Sequence, residues 1–156
     1  MEIVTDQEKF KNQIIDLILH IQNDEANLHL SLEEQPDLPN IPSYYGDGGA
    51  FFVAVDGEAV IGTAALMNYH HGNGVFKKFF VKKEYRRKGI GTMLYTALLA
   101  FAKQEHYHTV ILDTPSVAKA SHRFYEKAGF QKIDKNALPF PYQYPDRQSV
   151  IYLLHL

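Results

Sequence analysis

Cysteine is absent from this 156-residue chain, which removes disulfides, thiolate metal sites and a cysteine nucleophile together. No apolar run approaches the roughly 20 residues that a membrane-spanning helix needs. The opening Met1-Glu2-Ile3-Val4-Thr5-Asp6 has neither the basic nor the apolar region of a secretory leader, so the expectation is a soluble, cytoplasmic chain without a membrane partner. Positive charge is not in excess either: 16 Lys and Arg stand against 18 Asp and Glu. A nucleic-acid surface more often spreads Lys and Arg over a whole face. Repeats, low-complexity tracts and interdomain linkers are also missing, and 46% of the residues are apolar or aromatic. That balance predicts a single domain over 1–156 with a real core. Two nucleotide signatures are lacking as well. No G-x-x-x-x-G-K-[ST] occurs, and the dinucleotide pattern G-x-G-x-x-G fails at Leu94.

What is present is concentrated in one place. From Lys77 to Lys88 seven basic residues accompany the single acid Glu84, so the positive potential is local and suits a phosphate-bearing ligand. Val75 to Val81 reads as a strand, and Leu94, Ala97, Leu98 and Phe101 recur at helical spacing from about Thr92 to Gln104. Between them Gly89 and Gly91 let the backbone turn and approach a ligand closely, so that successive N–H groups converge on one anion at a helix start. Arg86, Arg87 and Lys88 add cations beside those fixed donors.

These residues resemble the GNAT superfamily of N-acetyltransferases, whose signature V-x-x-x-x-[RQ]-x-x-G-x-[GA] is matched in register by Val81, Arg86, Gly89 and Gly91. A second stretch, Ser121 to Phe130, is similar to the family's later helix, which typically ends F-Y-x-x-x-G-F, here Phe124 to Phe130. The resemblance implies an α/β fold with a mixed, twisted, mostly antiparallel sheet, a central parallel strand pair and helices on both faces. It also implies acetyl-CoA as co-substrate and a small-molecule or peptide amine as acceptor; no metal is expected, because the adjacent His70 and His71 lack a third ligand at suitable spacing. A homodimer is compatible with it. In that picture the pantetheine arm pairs with backbone at Phe79, Phe80 and Val81, and Arg86, Arg87, Lys88, Gly89, Ile90, Gly91 and Thr92 surround the pyrophosphate. Tyr125 is the acid that serves the departing thiolate. Where the family often has Asn this chain has Ala118, leaving Ser121 as the replacement hydrogen-bonding group. No acid lies in Val75 to Val81, so the general base stays open, with Asp113 or His70 acting through water as candidates.

Taken in order, the chain predicts a first strand at Glu2 to Val4. A helix then starts at the capping-box spacing of Thr5 and Glu8 and carries Phe10, Ile14, Leu17, Ile18 and Ile21, and a second helical segment runs from Glu25 to Leu32. Prolines and glycines make 33–49 a loop with room for one helical turn. Asp56-Gly57-Glu58 joins the strands Ala50 to Val55 and Ala59 to Met67 as a hairpin. After the turn at Tyr69 to Gly74 and the long helix, His108 to Leu112 forms a strand parallel to the preceding one. Asp113 to Ser116 breaks it and offers caps for the next helix, which closes at Gly129. Phe130 to Ile133 and Ser149 to Leu156 are the last strands. Tyr45 and the segment holding Tyr142 and Asp146 are the candidate acceptor rim, since both are irregular, aromatic and proline-restrained. Two rivals remain open: a non-catalytic acyl-CoA sensor of the same fold, and a nucleic-acid-binding module using the Lys77 to Lys88 stripe.

Overall fold

Ala50–Asp56 (β2) is apolar at every position but its last, so a strand made from it has to be covered on both faces. In the computed structural model, which describes residues 1–144 and 148–156, all of β2 except Asp56 is buried. Its side chains alternate between two cores. Phe51, Val53 and Val55 pack with Phe10, Ile14, Leu17, Ile18, Leu38, Ile41 and Tyr45. Ala50, Phe52 and Ala54 pack with Ile90, Leu94, Leu98 and Tyr125 on the other side.

The first face is covered by Lys11–Leu19 (α1) and Ile41–Tyr45 (α2), the second by Ile90–Gln104 (α3) and Lys119–Lys127 (α4). The strands are Glu2–Thr5 (β1), β2, Ala59–Asn68 (β3), Asn73–Val81 (β4), Thr109–Pro115 (β5), Gln131–Ile133 (β6) and Ser149–His155 (β7). They form one seven-stranded sheet in the order β1-β2-β3-β4-β5-β7-β6. Every neighbouring pair is antiparallel except β4 and β5, which are parallel. Segment 134–144 covers the first face beyond β4, where Tyr142, Leu138 and Phe140 pack with Val75, Ile111 and Leu153. No helix among the described residues is long and apolar enough to cross a membrane.

Several local expectations fail for identifiable reasons. Thr5 is held in β1 opposite Phe52, so it cannot cap. The helical start is instead a 3-10 turn, Glu8–Phe10, with no side-chain cap. No helix forms from Glu25 to Leu32. After a π-helical turn at His20–Glu25, the Asn23 amide bonds both backbone groups of Leu30, while Asn27 and His29 take left-handed backbone. β5 does not break at Asp113, because its ladder to β7 runs on to Pro115 opposite Ser149. The caps expected for α4 are unused too: its N-cap is Ala118, without a side-chain bond.

The feature that shapes the site is a bulge in β4. The register passes from Thr63 opposite Phe80 to Ala65 opposite Lys77, with Lys78 in left-handed backbone at φ 55°. The extra residue shifts the alternation by one, so Lys77 and Lys78 lie on the face of α1 and α2 while Phe79 and Val81 turn towards α3. The Thr63 hydroxyl donates to the Lys78 carbonyl at 2.7 Å and holds the bulge closed.

Parallel pairing of β4 with β5 covers only Asn73, Gly74 and Val75 against Thr109, Val110 and Ile111. A Cβ on Gly74 would stand 2.7 Å from a Tyr107 ring carbon and 2.8 Å from Leu66 Cδ1. Both are buried side chains without room to retreat. Gly74→Ala is therefore expected to lower stability by about 1–3 kcal/mol, the usual cost of overpacking, read as a Tm several degrees lower. An unchanged Tm would show that this pairing tolerates a wider spacing.

Candidate active site

Beyond Val75 and Ile111 the parallel strands separate, and no further β4–β5 pairing is present among the described residues. A cleft with backbone groups on its walls lies at the carboxyl ends of both strands. On the α3 and α4 side an aromatic cluster fills its flank. Phe79 lies 5.1 Å from both Phe76 and Phe124 and 6.3 Å from Tyr125, measured between ring centroids. The Tyr125 hydroxyl makes no hydrogen bond within the described residues, although no fully buried side-chain polar atom among them lacks a partner; it therefore meets open space. Burial first, and then the Asp113 carboxylate, push this phenol well above its ordinary pKa. Ser121 lies one turn earlier on α4, half-buried.

At the mouth of the cleft α3 begins. Gly89 is its N-cap in left-handed backbone at φ 83°, and the N–H groups of Ile90, Gly91 and Thr92 find no carbonyl partner among the described residues. These donors and the positive end of a 15-residue helix face outwards together. Gly91 is small for a packing reason, since a Cβ there would stand 3.2 Å from Phe79 Cζ.

The basic stripe does not act as a unit. Arg86 is spent as a strut: its Nε donates to the Val81 carbonyl at 2.9 Å and its guanidinium pairs with Glu25 at 2.6 Å. Arg87, in left-handed backbone, and Lys88 stay exposed beside the helix start, Lys88 standing over the Tyr85 ring. Lys82 and Lys83 instead line a groove of about 500 Å³ against α1. Lys77 and Lys78 point to the opposite end of the cleft.

On that end the bulge meets a buried polar network that no sequence pattern announces. Lys78 Nζ donates to Gln35 Oε1 at 2.6 Å and lies 3.8 Å from Asp37 Oδ2. Gln35 exchanges two amide hydrogen bonds with Gln22, and the Tyr45 hydroxyl donates to Asp37 at 2.6 Å. Tyr45 is thus buried support for Asp37, and it is its neighbour Tyr44 that is exposed. Across the cleft the Tyr142 hydroxyl donates to Asp113 Oδ1 at 2.5 Å, and the Tyr142 ring packs against Tyr69 and Tyr144. Burial raises the Asp113 carboxyl above its usual range, against the opposing pull of that bond and of Lys77 and Lys78. Asp113 is therefore a half-buried strand residue and not a solvated loop carboxylate. Asp146 lies outside the described residues.

With this geometry in hand, the likeness to known proteins is specific. The model of the Acetyltransferase (GNAT) family matches residues 15–130. N-acetylaspartate synthetase from Xenopus tropicalis is 34% identical over 108 residues, covering 67% of this chain but only 40% of that protein. The chain thus spans well under two thirds of that relative. The crystal structure of an acetyltransferase from Streptococcus agalactiae superposes with a TM-score of 0.94 at 36% identity, covering 99% of this chain and 98% of that one. A PaiA N-acetyltransferase from Thermoplasma acidophilum in complex with coenzyme A superposes with a TM-score of 0.77 over 99% of this chain and 98% of its own, at 16% identity, a likeness of fold alone.

The network makes a prediction about pH. Desolvation lowers Lys78 from an ordinary 10.5 to about 8 in the folded chain, despite Asp37. Between those values the unfolded chain holds a proton that the folded chain has shed, so stability rises with pH across that window. The gain is on the order of 3 kcal/mol. Lys78→Met, followed by denaturant unfolding at pH 7 and pH 10, should lose this rise relative to the unsubstituted chain. Parallel pH profiles for the two proteins would mean that Lys78 is hydrated.

Proposed function

The chain belongs to the GNAT acetyltransferase family, and from that premise we propose that residues 1–156 act as one catalytic domain that moves an acetyl group from acetyl-CoA to an amine by direct attack on the thioester. The observation that carries this reading is the parting of β4 and β5, with a tyrosine hydroxyl that has no partner among the described residues on one flank and a half-buried carboxylate on the other. One end of the cleft has a group for the leaving sulfur. The other has a group for the attacking nitrogen.

The residues fit the co-substrate. Phe79, Phe80 and Val81 offer a strand edge without a β5 partner for the pantetheine amides. Gly89, Ile90, Gly91 and Thr92 offer N–H donors for the pyrophosphate, with Arg87 and Lys88 as mobile cations, and Ser121 on α4 would offer its hydroxyl to the arm. Arg86 serves that site by fixing the loop's origin on Val81 and Glu25. That the fold can hold such a ligand is consistent with the coenzyme A in the Thermoplasma protein. Acetyl-CoA supplies the activated acyl group.

Transfer forms a C–N bond and breaks a C–S bond, and the amine loses one proton. Asp113, its pKa raised, accepts that proton directly or through water, while Tyr142 orients its carboxylate. Tyr125 Oη holds its proton firmly, so it serves the departing sulfur first as a hydrogen-bond donor, with transfer completed only as negative charge gathers there. Tyr142, with Tyr69 edge-on and Tyr144 stacked against it, forms the wall that receives the acceptor. The Xenopus relative is named for N-acetylaspartate, an acetylated amino acid, which suits a cleft lined with charges of both signs.

Tyr125→Phe keeps the ring packing and removes only the hydroxyl. It is expected to lower kcat on the order of a hundredfold while leaving the Kd for CoA within twofold. Unchanged kcat, with chemistry rate-limiting, would reduce Tyr125 to a packing residue. Calorimetric titration with CoA tests the loop. A bulky side chain at Gly89 or Gly91 should weaken binding far more than Lys82→Ala, whereas equal losses would indicate diffuse charge attraction.

A further inference from the structure

Among the described residues, Lys77 is the lysine of the β4 bulge whose charge finds no partner. Lys78 is neutralised by Asp37 and bonded to Gln35. Lys77, half-buried on the same face, forms no ion pair or hydrogen bond among the described residues. Its opposite number is Asp113. Parallel pairing ends with Val75 against Ile111, and two more residues of that register would set Lys77 beside Asp113. The strands have parted by then. Each charge feels the other, Lys77 pulling the Asp113 pKa down and ranking ahead of Lys78 in doing so, yet the two do not reach ion-pair contact. A cation and a carboxylate, both partly desolvated, therefore face one gap from its two walls, with Tyr142 and Tyr69 beside them.

Resting on the acetyltransferase reading, we infer that the acceptor carries a carboxylate as well as the reacting amine: the carboxylate is held by Lys77 and the amine is directed to Asp113. Such a ligand restores in the gap the opposite-charge contacts that the diverging strands deny each other. The acceptor class is then free amino acids or close relatives of them. Polyamines are excluded, because they would set a second ammonium against Lys77. The aromatic wall of Tyr69, Tyr142 and Phe140 is left to contact the acceptor's own side chain. Lys77 is a specificity residue in this scheme and takes no part in bond making.

The test is a panel of matched acceptors with acetyl-CoA, reading released thiol: free amino acids, their carboxamides and their decarboxylated amines, with spermidine added. The unsubstituted protein should favour the carboxylates by about tenfold or more in kcat/KM, the usual worth of one charged hydrogen bond. Lys77→Gln should bring that ratio close to one through a higher acceptor KM, and Lys77→Arg should recover most of it, with Tm recorded for each. Equal or better use of carboxamides, amines or spermidine by the unsubstituted protein would overturn the inference and leave the acetyltransferase reading standing. Survival of the preference in a folded Lys77→Gln protein would also overturn it. If no amine in the panel releases thiol although CoA binds, the acetyltransferase reading falls, and this inference with it.

Discussion

Everything at the candidate site depends on two neighbouring parallel strands that stay together for three residues and then part. Backbone pairing favours continued contact, so something must fill both faces where it stops. On one face the filler is aromatic, with Phe79, Phe124 and Tyr125 packed edge and tilt against one another. On the other it is polar, with Lys78 anchored to Gln35 and Asp37 from a segment that has no regular structure of its own. The bulge at Lys78 lets one strand serve both. Without its extra residue the alternation would drive a lysine into the α3 core and turn Phe79 away from Tyr125.

That arrangement divides the local positive charge by task. A basic stripe in the sequence suggests one polyanion-binding surface, but the folded chain sends its members in five directions: into a buried pair, into the gap between β4 and β5, into the groove against α1, onto a strut with Glu25, and out beside the start of α3. A stripe dispersed in this way gives little support to nucleic-acid recognition, which needs cations in register along one face. For a ligand with a phosphate end and a reacting end some distance apart, the same dispersal is useful.

How much of this was legible beforehand follows from the range of the interactions. The strand-loop-helix crossing, the hairpin at Gly57 and the left-handed Gly129 closing α4 are set by local backbone preferences, and the sequence expresses them directly. Val81, Arg86, Gly89 and Gly91 announced the loop, although the Arg86 side chain took a structural part because Glu25, sixty-one residues earlier, reaches it. Asp37, Gln35 and Gln22 were invisible for the same reason: their partners come from β4, from Tyr45 of α2 and from each other across irregular chain, and no periodicity records that. Asp113 was misread because its Asp-Thr-Pro context looks like a breaker, while the β7 ladder imposes a strand. A carboxylate at the end of an apolar strand was the available signal, and its hydrogen bond from Tyr142, far along the chain, is written in no local pattern.

If the parted strands and the start of α3 form one binding surface for acetyl-CoA, both must respond to the ligand together. Amide hydrogen exchange with and without the co-substrate tests it directly, since the amides concerned lie in two stretches separated along the chain. Concerted protection of Phe79 to Val81 and of Gly89 to Thr92 is expected on addition of acetyl-CoA, with little change in β1 and β2. Protection confined to exposed lysines around Lys82 and Lys83, or none in either stretch despite measurable binding, would contradict it.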